Sequence, residues 1–132
     1  MFLNLIGNAI QAMPSGGTLR LRVAEAADLE TQRRGIAISV TDTGGGIRRE
    51  DAKHLFQPFF TTKSATGTGL GLWISKGTIQ KYEGTIGFRS FHSRAGACTC
   101  FRVFLPLAGE MAGGETAKDA DVSSRAPVRA IA

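Results

Sequence analysis

Apolar residues recur at the start of the chain with the spacing of one helix face. Phe2, Leu5, Ile6, Ala9, Ile10 and Met13 follow the i, i+3, i+4, i+7 pattern and predict a helix over residues 2–13. Asn4, Asn8 and Gln11 make a second, polar stripe, and Pro14-Ser15-Gly16-Gly17 stops the helix in a turn. Residues 18–25 then alternate, with Leu19, Leu21 and Val23 on one face, and predict a strand. A polar connection leads to a second strand over 35–42, with Ile36, Ile38 and Val40 facing one way, broken by Thr43-Gly44-Gly45-Gly46. Residues 48–56 suit a short helix with Ala52, Leu55 and Phe56 inward, and 57–68 has no period and reads as a loop. A helical period returns over 69–82 through Leu72, Ser75, Ile79 and Tyr82, and Gly84 ends it. Two last strands, 85–91 and 99–105, are joined by a turn around 93–96. Pro106 closes a domain of residues 1–108, and the small, polar, aperiodic residues 109–132 are expected to be a disordered tail.

Some polar residues fall in phase with the apolar ones. Asp42 shares a strand face with Ile36, Ile38 and Val40, and a carboxylate in a core face is costly unless paired. It reads either as a turn residue opening the glycine run or as a buried acceptor for a ligand donor such as an adenine amine. Thr99 is in phase with Phe101, Val103 and Leu105, although threonine is also an ordinary strand residue. Asn4 and Asn8 stack one turn apart. The plain reading is a solvated face; the functional one is amide oxygens offered to Mg²⁺, with phosphates completing its shell. The run Gly67-Thr68-Gly69-Leu70-Gly71-Leu72 feeds a helix N-terminus, where free N–H groups and the helix dipole favour an anion. His54 and His92 have no partners at metal or triad spacing, and Trp73 and Tyr82 read as packing residues.

Composition narrows the class without choosing within it. The chain has 132 residues, 42% hydrophobic and 20% charged, enough for one domain with a real core. No apolar run approaches the roughly 20 residues of a membrane span, and the first residues lack the pattern of a secretory leader. The two cysteines, Cys98 and Cys100, exclude a disulfide scaffold and a four-cysteine zinc site. A net charge of +5 suits an anionic ligand. Interleaved acids argue against nucleic acid.

The order of the pieces is more specific than any one of them. Asn4-Leu5-Ile6-Gly7-Asn8-Ala9, Asp42-Thr43-Gly44-Gly45-Gly46-Ile47, Phe56-Gln57-Pro58-Phe59-Phe60-Thr61-Thr62-Lys63 and 67–72 together resemble the ATP-binding domain of bacterial sensor histidine kinases. That domain is part of the superfamily shared with gyrase, Hsp90 and the mismatch-repair ATPases. The phenylalanine–threonine–lysine run resembles the nitrogen-regulation and dicarboxylate-sensing subgroup. The resemblance implies a two-layer α/β sandwich, a mixed β-sheet with helices on one face, incomplete at its N-terminal end.

The resemblance also assigns roles. Asn8 would be a Mg²⁺ ligand, with Asn4 supporting it and the phosphates. Asp42 would accept from the adenine amine, with Thr99 nearby. Gly44 and Gly46 would let the backbone approach the base, and Ile47 would line its pocket. Phe59 and Phe60 would anchor the ATP lid, and Lys63 would contact phosphate. Gly67, Thr68, Gly69, Leu70, Gly71 and Leu72 would form the lid end and phosphate cradle. The implied cofactors are ATP and Mg²⁺. The implied partners are a phosphoacceptor and dimerisation domain and, through it, a response regulator.

No nucleic acid and no membrane contact are expected. The expected place is the cytoplasm, compatible with a membrane-anchored parent kinase. No residue here would be the phosphoacceptor histidine. The family's basic and aromatic positions after the second asparagine are Gln11 and Ala12 here, Cys98 stands where glycine is usual, and the acidic residue expected before Asn4 would precede Met1. The chain is therefore expected to be the C-terminal piece of a larger kinase. Two other readings remain open on these residues: a non-catalytic or degenerate nucleotide-binding fragment acting as an interaction module, and a serine kinase of the anti-sigma-factor type. The latter would need an acidic residue where Asn4 stands.

Overall fold

The apolar stripe of the first helix needs a partner surface, and the alternating strands supply one. The computed structural model describes residues 1–62, 67–94 and 96–107. Its elements are α1 (Phe2–Gln11), β1 (Leu19–Ala27), β2 (Arg34–Asp42), α2 (Arg49–Ala52), α3 (Gly71–Lys81), β3 (Thr85–Ser93) and β4 (Gly96–Pro106). The strands form one sheet in the order β1-β2-β4-β3, and every pairing among them is antiparallel. α1 lies over β2 and against α3, and α3 lies over β3, so the helices form a second layer on one face of the sheet. The expected tail, 109–132, and Lys63 lie outside the described residues.

The core sits between the layers. Leu5 and Ala9 from α1, Ile79 from α3, Val40 from β2, and Phe101 and Val103 from β4 are buried together. Phe56, Phe88 and Phe101 extend it as a chain of tilted rings, with centroids 6.1 and 5.9 Å apart. Among the described residues no helix is long and apolar enough to cross a membrane.

Alternation told which face an apolar residue is on, but not whether anything covers it. Leu21 and Val23 point to the helix side of β1, but β1 is the sheet edge: Leu19 at its start packs against the core, whereas Leu21 and Val23 are 53% and 67% exposed. Ile10, assigned to the buried stripe of α1, is 57% exposed, and Ile36 is also open to solvent. Trp73 and Tyr82, expected to pack, are exposed as well. On the other face, Arg20 and Arg89 share one cross-strand row with Thr41 and Cys100, and Arg22 and Arg102 share the next with Ser39 and Gly87.

Burial therefore separates residues that the helical pattern groups together. Leu5→Ala should lower the unfolding free energy by about 2–5 kcal/mol through lost burial and a residual cavity. Ile10→Ala, from the same stripe, should cost about 1 kcal/mol or less. Urea unfolding followed by circular dichroism measures both, and equal losses would contradict the assigned core.

Candidate functional site

Between α1, the end of β2, the glycine run after it and the start of α3 lies an open cavity of about 700 Å³. Its floor is set by strand register. β2 ends with Asp42 paired to Thr99 of β4, and both side chains point to the helix layer, only 2% and 3% exposed. The Gly44 N–H donates to Asp42 Oδ1 at 2.9 Å, which leaves the second carboxylate oxygen outside that bond. Burial pushes the Asp42 carboxyl above the ordinary carboxylate range, and the bond from Gly44 pulls it part of the way back.

The glycine run is shaped mainly by the protein itself. Gly44 packs against the Ala12 carbonyl at the end of α1, where a Cβ would collide, and the Gly45 N–H donates to that carbonyl at 3.3 Å. Gly46 has φ +74° and sits where a Cβ would meet the His92 ring; only glycine adopts this conformation without strain. Gly46 and Ile47 line the cavity, whereas Gly44 does not.

α1 presents Asn4 and Asn8 to the cavity, one helical turn apart. The Asn4 Nδ2 donates to the Gly71 carbonyl at 3.1 Å and to Ser75 Oγ at 3.3 Å. Ser75, fully buried, itself donates to the Gly71 carbonyl at 2.7 Å. Asn4 thus ties α1 to the first turn of α3. Ser75 belongs to the site's support although it was read only as part of a helical period; its signal was a hydroxyl in phase with Leu72 and Ile79. No side chain caps the start of α3, so its first N–H groups lack the partner a capping residue supplies.

Gly67, Thr68, Gly69, Gly71 and Leu72 also line the cavity, and Leu70 does not. Phe60 lines it, with its ring 5.7 Å from that of His54. Phe59 is 75% exposed and away from the lining. Its contribution is through the backbone: Gly69, at φ +68°, packs directly on the Phe59 main chain, itself at φ 65°, so the two ends of the intervening loop touch. Arg48 and Asp51 line the cavity too and were not singled out from sequence, where nothing marks them. Arg48 is bonded to Asp51 at 2.9 Å and to Glu50 at 2.9 Å. It is the only lysine or arginine among the described lining residues.

Of the sequence-assigned residues, the structure brings Asn4, Asn8, Asp42, Gly46, Ile47, Phe60, Gly67, Thr68, Gly69, Gly71, Leu72 and Thr99 around one cavity. Gly44, Phe59 and Leu70 stand behind it.

Comparison with known proteins identifies the family. Residues 1–109 match the family described as histidine kinase-, DNA gyrase B-, and HSP90-like ATPase. Sporulation kinase C of Bacillus subtilis is 37% identical over 107 residues, covering 81% of this chain and 23% of that protein. The sensor histidine kinase ZraS of Escherichia coli strain K12 is 37% identical over 107 residues, covering 81% of this chain and 21% of that protein. The chain thus spans less than a quarter of the length of either relative. Among solved structures, the mycobacterial sensor histidine kinase MprB superposes with a TM-score of 0.65 at 28% identity, over 79% of this chain and 68% of that one. Full-length ShkA in complex with AMPPNP superposes with a TM-score of 0.58 at 28% identity, over 82% of this chain and 21% of that one. By sequence and fold, the chain belongs to the histidine kinase-, DNA gyrase B- and HSP90-like ATPases and is homologous to the catalytic domains of sensor histidine kinases.

Proposed function

We propose that the cavity binds Mg·ATP and that the chain acts as the ATP-binding part of a protein-histidine kinase. It would present the γ-phosphate to a histidine on a separate phosphoacceptor domain, from which a response regulator would be served. The observation that carries this reading is the buried pair Asp42–Thr99 at the floor of the cavity, facing an uncapped helix start across it. A hydrogen-bond acceptor at one end and an anion-favouring helix terminus at the other suit a ligand that is a base at one end and a phosphate chain at the other.

In this reading Asp42 accepts from the adenine amine, while Ile47, Leu72 and Phe101 supply apolar contact. The backbone of 67–71 and the first turn of α3 receive the phosphates. Asn8 offers a hard amide oxygen to the metal, and Asn4 fixes the α3 terminus through Gly71 and Ser75. A donor set this small fits Mg²⁺, which takes most of its oxygens from phosphate and water; among the described residues no cluster of three His, Cys, Asp or Glu side chains could hold a metal. When bound, the metal would neutralise charge on the phosphates. The protein's share is orientation and exclusion of water.

A carboxylate that burial makes harder to ionise is a cost to the fold, and ligand recognition is a reason to keep it. Asp42→Asn should weaken ATP binding by about 1.5–3 kcal/mol and weaken GTP binding less, because guanine presents no amine at that position. Calorimetric titration with each nucleotide in Mg²⁺ tests this. No ATP binding by the wild-type chain would overturn the proposed function, and equal losses for the two nucleotides would overturn the role of Asp42.

The same substitution has a pH signature without ligand. Because the folded-state pKa of Asp42 is raised, its contribution to stability is fully present below the unfolded carboxylate pKa, about 3.9, and is lost as pH rises through the folded value. Asparagine does not titrate. The stability of the Asp42→Asn variant relative to wild type should therefore increase from about pH 4 upward and then level off. Denaturant unfolding across that range measures it, and a difference that falls with pH would contradict the assigned environment.

The isolated chain should not phosphorylate itself on histidine. His54 is engaged with Gln57 at 2.9 Å, and His92 packs on the glycine run; both are fixed to the body that would hold the nucleotide. Correct placement of reactants contributes roughly 7–11 kcal/mol to such reactions. Incubation with radiolabelled ATP followed by acid and base treatment tests for acid-labile phosphohistidine. Stoichiometric label on His54 or His92 would point to another mechanism.

A further inference from the structure

The glycine run after β2 has two ends, and Asp42 holds only the first. We propose that Ser90, assisted by His92, is a positioning residue that holds the second end and so sets the shape of the site for the base; this rests on the nucleotide reading above. Sheet register places Ser90 opposite Thr99, and Thr99 opposite Asp42. The three side chains therefore stand in one row across β2, β4 and β3 on the face beneath the helices. The run leaves the sheet at Asp42 and passes back over this row. Its early amide, Gly44 N–H, is bonded to Asp42 Oδ1 at 2.9 Å, and its last, Ile47 N–H, to Ser90 Oγ at 2.8 Å.

The chemistry of a hydroxyl suits this place. Ser90 Oγ donates its proton to the Cys98 carbonyl at 3.4 Å, which leaves a lone pair directed at Ile47. His92 lies two residues further along β3 on the same face, and its ring occupies the space beside Gly46, the one position of 43–47 with a left-handed φ. Together these two side chains brace Gly46–Ile47 from the β3–β4 hairpin. Gly46 and Ile47 line the cavity, but Ser90 and His92 do not. Their effect on a bound base is therefore indirect, through the position of Ile47.

The experiment compares wild type with Ser90→Ala and Ser90→Thr. It reads affinity for ATP, adenosine and inorganic tripolyphosphate, thermal melting, and amide hydrogen exchange at Ile47 and Gly44. Ser90→Ala should speed exchange at Ile47 and leave Gly44 protected. It should weaken ATP and adenosine alike, by about three- to tenfold for a lost hydrogen bond, and leave tripolyphosphate unchanged. Ser90→Thr, which keeps the hydroxyl, should restore both exchange and affinity. Unchanged ATP affinity in Ser90→Ala would overturn the inference while leaving the nucleotide reading intact. So would equal losses for tripolyphosphate and adenosine, or a loss that threonine does not restore and that follows the melting temperature. If wild type binds neither ATP nor adenosine, the nucleotide reading falls first. Unaltered Ile47 exchange in the unliganded Ser90→Ala chain would then still refute the brace on its own.

Discussion

A carboxylate held under two helices constrains much of what surrounds it. Asp42 ends β2 on the inner face, so the antiparallel register with β4 brings Thr99 beside it, and the turn that follows must return a backbone N–H to one of its oxygens. That requirement keeps the chain close to the sheet as it leaves β2, in contact with the end of α1 on one side and the β3–β4 hairpin on the other. Burial raises the proton affinity of the group, so the arrangement is a cost to the empty fold. Local conflicts of this kind, where a residue works against the stability of its own surroundings, are expected at functional sites.

The helix layer depends on a second polar anchor. A carbonyl in the first turn of a helix ordinarily accepts one bond from within the helix, but that of Gly71 also receives the Asn4 amide, and Ser75 supports both. This network is local to α3 on one side and reaches across to α1 on the other, so the distance between the two helix faces is set by hydrogen bonds as well as by Leu5 and Ile79. It occupies carbonyls and side chains and leaves the uncapped N–H groups of α3 out of the exchange. A helix terminus proposed to receive phosphate is best held by contacts that do not consume its donors, and this network meets that condition.

Most element positions were legible in the sequence, because hydrophobic period and glycine punctuation are local signals. The four strands, both longer helices and the turn between β3 and β4 fall where the pattern put them, within a few residues. Asp42 was legible for the same reason: phase alone put it on the core face. What phase does not contain is the lateral order of strands. Leu21 and Val23 alternate as well as Ile38 and Val40 do, but the first pair stands exposed on an edge strand. Nor does it contain cross-strand neighbours, so Ser90 could not be connected to Ile47 before the register was known. Gly44 was expected to make room for a base. It makes room for Ala12, because a glycine in a sequence shows that something comes close without saying what.

Charge illustrates the same limit. The excess of basic residues suggested an anionic ligand, yet the sheet face opposite the helices carries Arg20, Arg22, Arg89 and Arg102, on the far side from the cavity. Within the cavity the described lining contains one cation, Arg48, already bonded to Asp51 and Glu50. Lys63, the other candidate, lies outside the described residues. A phosphate chain in this cavity would therefore meet dipoles before it met side-chain charge: the amides of 67–71 and the start of α3, with a divalent ion supplying what they lack. In the proposed reading, a divalent ion accompanying the nucleotide would cancel part of the triphosphate's charge and so lower the electrostatic cost of bringing a polyanion over a floor that already holds the Asp42 carboxyl.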